Sequence, residues 1–105
     1  IERFDVPSGL YDVTFFNHPK YTKPFVEFPG NAVKDTIRIT PRGSRDLDIE
    51  AANIARGKPA KYNWAAEYGG VPHTWHHDHV RGRMYLVPRD LHQAASHSGG
   101  VVVWY

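Results

Sequence analysis

Trp75-His76-His77-Asp78, a reversal at Gly82, Arg83-Met84-Tyr85-Leu86-Val87 and then Pro88-Arg89-Asp90-Leu91-His92 read as strand, turn, strand and helix in direct succession. Glycine at position 82 suits a tight turn because a backbone without Cβ reverses at low steric cost. Pro88 fits a first helical turn, where its missing N–H would have gone unpaired, and Asp90 complements the positive end of the helix. The helix is expected to run through about Ser96 and to stop at Gly99-Gly100, with Val101 to Tyr105 adding an edge strand.

Histidine is concentrated on this stretch: five of the seven lie between residues 73 and 92, and His97 follows. Adjacent side chains of an extended strand point to opposite faces, so His76 and His77 do not both enter the inner shell of one ion. One binds and its neighbour stays free. His92 and His97 are five residues apart, wide for a single helical face, where three or four is better. The helix is therefore expected to end or unwind before His97, letting His76, His92 and His97 converge on one ion with positions open for water or substrate.

The free neighbour, His77, is then the candidate general base, since an imidazole with an ordinary pKa of about 6.5 accepts a proton from water at neutral pH. Phosphodiester hydrolysis fits the pairing of such a base with an ion that stabilises charge growing on phosphate. Arg83 and Arg89, close in sequence, are candidates to hold neighbouring phosphates in bidentate fashion. His73 and His79 are expected to be exposed or supporting, His18 carries no signal, and Trp75 reads as a core anchor. A structural zinc site is the bland alternative, although all-histidine structural sites are less typical than those containing cysteine.

Upstream, Pro7, Pro19, Pro24 and Pro29 among aromatic and β-branched residues suggest short strands and extended loops. Thr36 to Thr40 alternates strictly, with Ile37 and Ile39 on one face. After Pro41-Arg42-Gly43, Ser44 or Asp46 can cap a helix over about residues 45–56, where Leu47, Ala51, Ile54 and Ala55 recur at helical spacing and Asp46, Asp48 and Glu50 sit near the start. Residues 57–73 read as a connecting loop with one short turn.

The 105 residues allow one small domain. A hydrophobic fraction of 41% and a charged fraction of 23% exclude wholesale disorder. Cysteine is absent, so disulfides and thiolate metal sites are excluded and histidine must do any soft-ligand work. A formal charge of +2 at pH 7 is compatible with a polyanionic partner without demanding one. No apolar run approaches the length that crosses a bilayer, and no membrane partner is expected. The start at Ile1 rather than Met is expected of a module within a longer polypeptide.

Trp75-His76-His77-Asp78, Gly82-Arg83-Met84, Leu86-Val87-Pro88, Leu91-His92 and His97-Ser98-Gly99-Gly100 together resemble the WHH and LHH subgroups of the HNH/endonuclease VII superfamily, over about residues 72–100. Gly43-Ser44-Arg45-Asp46 and Ala52-Asn53 are similar to the upstream part of the same family. The resemblance implies an α+β fold: a ββα-metal (HNH) finger on a small domain with an additional helix and short strands, the whole of 1–105 being one nuclease domain. It implies that His76, His92 and His97 bind a divalent ion (zinc, nickel or magnesium) and that His77 activates water, as in nuclease colicins, whose last two histidines are one residue closer. The asparagine of the HNH name has no counterpart between Asp78 and His92, and Asp78 or backbone contacts are expected to take its place in the site.

Such modules are implied to be DNases, with ribonuclease as the alternative, that serve as toxins in interbacterial competition. The implied setting is a larger secreted effector acting in the target-cell cytoplasm, with a cognate immunity protein whose acidic groups cover the basic cleft. A zinc-binding interaction module without catalysis is the reading from a different class. Three imidazoles suit zinc and nickel, whereas magnesium prefers oxygen ligands.

Overall fold

The computed structural model describes residues 1–95, 97 and 100–105, so the expected helix end at Ser96 and Gly99 lies outside the described residues. Its strands form two antiparallel sheets. The first contains β1 (Glu2–Val6), β2 (Gly9–Phe16) and β3 (Phe25–Glu27) in that order; the second contains β4 (Asp35–Arg38), β6 (Arg83–Pro88) and β5 (His73–His77), with β6 in the middle. The helices are α1 (Arg45–Ala55), α2 (Arg89–Ala94) and the short α3 (Val101–Trp104), with a 3-10 turn at Trp64–Glu67. The strand, turn, strand and helix expected from the decisive stretch are thus β5, β6 and α2.

Central position explains the near-continuous apolar run of β6. Met84 and Leu86 point into a cluster with Ile37, Ala52, Trp64, Trp75 and Trp104, while Val87 points into a second with Tyr11, Val13, Val26, Phe28 and Leu91. With both faces covered, alternation with polar residues disappears. Full burial of each such side chain contributes about 1.5–3 kcal/mol relative to exposure.

The turn between β5 and β6 is held by Asp78, which is fully buried: its Oδ2 accepts from Val80 N–H at 3.0 Å and from Arg83 Nε at 2.8 Å, and its N–H donates to the Arg83 carbonyl at 3.0 Å. Gly82 closes the turn at φ +89°, and a Cβ there would stand 2.9 Å from the Ile39 carbonyl oxygen. Both backbone angle and space require glycine.

Helix α1 starts as expected, with Ser44 Oγ accepting from Leu47 N–H at 3.2 Å. Its buried face, however, is not the apolar stripe. Leu47 is 47% and Ile54 59% exposed, whereas Asp48, Ala52 and Asn53 are buried. Polar demand decides this orientation: Asn53 Oδ1 accepts from both Trp64 Nε1 at 2.7 Å and Trp75 Nε1 at 2.8 Å, and Asn53 Nδ2 donates to the Ala60 carbonyl at 2.8 Å. Buried indole N–H groups need an acceptor, and the helix turns the face that carries Asn53 toward them.

The C-terminal residues correct a second expectation. Instead of an edge strand, 101–104 form α3, with Val103 and Trp104 N–H groups donating to the Gly100 carbonyl. Gly100 N–H occupies the His77 carbonyl at 3.0 Å, and Trp104 Nε1 donates to the Asp78 carbonyl at 2.8 Å. The end of β5 is thereby capped by a coil that returns an indole to the core. A Cβ on Gly100 would collide with the His77 and Asp78 carbonyls, so only glycine permits this approach. No helix among the described residues is long and apolar enough to cross a membrane.

Candidate active site

Alternation along β5 sends Trp75 and His77 toward α1, and His76 toward β3 and α2. On that second face His76 Nδ1 lies 3.3 Å from His92 Nε2. The rings of His76, His92 and His97 are mutually 5.0–5.3 Å apart, and one nitrogen from each lies within 4.8 Å of the others. Phe28 closes the site, its ring 4.9 Å from that of His76 and 6.1 Å from that of His97. Helix α2 ends at Ala94, and Ala95 leaves it at φ −83°, ψ 90°, as the five-residue spacing required. His97 Nδ1 donates to the Ala95 carbonyl, which leaves Nε2 with the lone pair.

Burial, followed by the charges of His92 and His97, holds His76 well below its ordinary pKa. His92 is pushed down to about 4, by burial first and then by His97 and Arg45. Burial also lowers His97, with Lys23 adding to the effect and the Ala95 carbonyl opposing it. All three imidazoles are consequently neutral at physiological pH and present lone pairs. Two ring nitrogens facing each other at 3.3 Å share at most one proton, and a third lies close by. That donor set fits a transition-metal dication such as zinc or nickel, and suits magnesium poorly.

On the α1 face, His77 Nε2 lies 3.0 Å from Asp48 Oδ2, both residues being buried. Asp48 also accepts from Arg42 N–H at 2.7 Å and from Tyr105 Oη at 2.7 and 2.9 Å. Burial by itself would raise this carboxyl; the bonds from Arg42, Tyr105 and His77 outweigh it and leave Asp48 below the usual range. His77 is lowered, chiefly by burial, against the opposing pull of Asp48. Neutral His77 thus directs Nε2–H to Asp48 and keeps Nδ1 as its proton acceptor, while Trp104 packs against the ring at 4.6 Å. The charge of Arg45, the first residue of α1, is felt at both His77 and His92.

A family model described as "a nuclease of the HNH/ENDO VII superfamily with conserved WHH" matches residues 69–105. Over this segment the chain is similar to the WHH nucleases. Its Trp-His-His is Trp75-His76-His77. The match takes in β5, β6, α2 and α3 and leaves β1 to β4 and α1 outside it, so Asp48 and Arg45 come to the WHH segment from the preceding part of the chain. No curated protein and no solved structure matches the chain at a significant level.

The remaining expected site residues, Asp78, Arg83 and Arg89, make other contacts. Arg83 is paired with Asp78, Nη2 to Oδ2 at 2.6 Å, and Asp78 fastens the β5–β6 turn while its Oδ1 lies 3.2 Å from His79 Nδ1. Arg89 is exposed at the start of α2, beside a groove formed with Lys61, Tyr62 and His73. Arg83 shares the face of β6 that carries Tyr85, its guanidinium 5.3 Å from that ring, and Tyr85 in turn stacks on His76 at 6.4 Å, so one side chain separates Arg83 from the triad. His73 is buried against Tyr68, ring to ring at 4.5 Å, rather than exposed. Half-buried His79 packs on Phe16 and Phe25.

Sequence reading missed Asp48, Arg45, Phe28 and Tyr105. Asp48 passes as a residue complementing the helix dipole, and Tyr105 as the end of a strand. One signal was present: Asp48 and Ala52 are one helical turn apart and adjoin Asn53, a small polar face beside the apolar stripe.

Proposed function

We propose that this chain is a DNA endonuclease in which His76, His92 and His97 hold a divalent transition metal and His77 is the general base. The observation that carries this reading is the division of labour on β5: His76 joins a neutral imidazole triad, while its neighbour His77 is backed by Asp48. Strand β5 is at the edge of its sheet, so a substrate at that edge meets both faces.

The metal, when bound, supplies Lewis-acid stabilisation of the charge developing on the phosphate. His77 Nδ1 removes a proton from the attacking water, and Asp48 stabilises the imidazolium formed and fixes the tautomer. Tyr105 and the Arg42 N–H keep Asp48 ionised and in place. Arg45, whose charge is felt at His77 and His92, joins Arg83 and Arg89 as a phosphate-binding group. A base that activates external water serves DNA, whereas RNA supplies its own 2′-hydroxyl nucleophile.

A toxin role within a larger secreted effector, acting in the cytoplasm of a target cell and restrained by an acidic immunity protein, follows from the resemblance together with a mildly basic chain. The direct test incubates the purified chain with supercoiled plasmid and with total RNA, with zinc, nickel or magnesium, with and without chelator, beside His77→Ala. Plasmid cleavage abolished by chelator and by His77→Ala is expected. Intact plasmid with degraded RNA makes the enzyme a ribonuclease, and two intact substrates under every metal sink nuclease function altogether.

A further inference from the structure

Away from the histidine triad, a cavity of about 350 Å³ is lined by Phe16, His18, Lys20, Tyr21, Phe25 and His79. Five of these side chains are rings in continuous contact: Phe16 to His79 at 5.0 Å, Phe16 to Phe25 at 5.8 Å, Tyr21 to Phe25 at 5.3 Å, and His18 to Tyr21 at 5.2 Å. Phe25 is buried, but Phe16 remains 36% exposed and His18 is exposed as well. The rings therefore present faces to solvent instead of completing a core, and none of the described lining residues is acidic.

We propose that this pocket is a subsite for an unpaired nucleobase of the strand being cut, a deepening that rests on the nuclease reading above. Every base has a π-face that stacks on aromatic side chains, and the positive charge of Lys20 at the rim matches the attached phosphate. Three connections tie the pocket to the active site. Phe25 is three residues before Phe28, which packs on His76, a distance of about 10 Å along an extended strand. His79 follows His76 by three residues, and Val103, also on the pocket wall, precedes the Trp104 that packs on His77.

On the wall between pocket and triad His79 Nδ1 stands 3.2 Å from Asp78 Oδ1 with Glu27 close by, so the strand's phosphates are expected on the Lys20 side of the pocket. The separation is on the order of a few nucleotides of strand. A base enters such a pocket only when it leaves its stack, which favours single-stranded or locally opened nucleic acid over an intact duplex.

Binding is measured by fluorescence anisotropy in the non-cutting His77→Ala background. The probes are a short labelled single-stranded DNA, the same strand made abasic, and the corresponding duplex. The base-bearing strand is expected to bind about tenfold or more tighter than its abasic counterpart. Phe16→Leu and Tyr21→Leu, which keep apolar volume and lose the ring, should erase that difference without weakening the abasic complex, and Phe16→Trp should preserve it.

Equal binding of the two strands, or a preference that survives both leucine variants, overturns the proposal. A self-association removed by Phe16→Leu, without any base preference, overturns it in favour of a contact between copies of this chain. As a second readout on the unaltered pocket, 2-aminopurine placed along the strand should be quenched by stacking at one position, and uniform fluorescence at all positions counts against the site. Plasmid cleavage by the parent chain reports separately on the nuclease: cleavage without base preference removes the pocket alone.

Discussion

His77 Nε2 and Asp48 Oδ2 stand 3.0 Å apart with both side chains buried, joining the WHH strand to a helix 29 residues earlier in the chain. An amide at position 48 keeps the volume but cannot balance an imidazolium, and can impose the wrong tautomer on the ring. Asp48→Asn is therefore expected to lower kcat by about 10²–10⁴-fold, the range associated with a lost general base, while KM and metal affinity stay near their starting values. Steady-state kinetics on plasmid or an oligonucleotide check this. An unchanged kcat removes Asp48 from the mechanism.

Tyr105 donates to the same carboxylate, so Tyr105→Phe should act in the same direction and more weakly. Loss of one hydrogen bond to a charged group is worth about 1.5–3 kcal/mol. With Arg42 N–H still bound to Asp48, the lower end is expected, about tenfold in kcat. Combining Tyr105→Phe with Asp48→Asn should add almost nothing, because the two act through one contact.

The histidine triad predicts linkage between metal and stability. An ion that binds the native state alone stabilises it by about 2.7 kcal/mol at a hundred times its Kd. Zinc or nickel should raise the melting temperature of the parent chain, and chelator should reverse the rise. His92→Ala should abolish it, since His92 Nε2 faces His76 Nδ1 directly. An equal shift in His92→Ala places the metal elsewhere.

Acid sensitivity of the metal-free protein follows from the burial of the same residues. Unfolded histidine takes up a proton at about pH 6.5, whereas native His92 does so only at about 4 and burial holds native His76 well below its ordinary value. Below the unfolded pKa the denatured state binds more protons than the native one, so stability is complete above that value and falls as pH drops through the window toward the native pKa. Urea midpoints of the chelated protein should decline from about pH 6.5 downward, and His92→Phe should flatten part of the slope. A midpoint independent of pH across this range contradicts the buried, neutral triad.

Much of this architecture is legible in local sequence. The turn chemistry of Gly82 and Pro88 and the five-residue gap before His97 announce β5, β6, α2 and the break after it, because each depends on neighbours in the chain. Long-range polar pairing is a different matter. Nothing local to α1 says that Leu47 and Ile54 face solvent; the choice is made by Trp64, Trp75 and His77, which need Asn53 and Asp48 as acceptors. The helical state of 101–104 is equally remote in origin: three consecutive valines favour a strand, and the burial of Trp104 against His77 overrides them.

Asn53 is where that override is most exposed to test. Its one oxygen receives two buried indole N–H groups, at 2.7 and 2.8 Å, and its amide reaches the Ala60 carbonyl. Asn53→Ala leaves three polar groups without partners, and each unsatisfied buried group costs about 1–3 kcal/mol. A loss of about 3 kcal/mol or more is expected in urea unfolding, with the melting temperature falling in step. Asn53→Leu should be no milder, since an apolar side chain fills the space and still offers no acceptor. Because α1 carries Asp48, both variants should also lower kcat more than they weaken zinc binding, whose ligands lie on the other face of β5. A leucine variant as stable as the parent would show that the indoles find other acceptors and that α1 is held by packing alone.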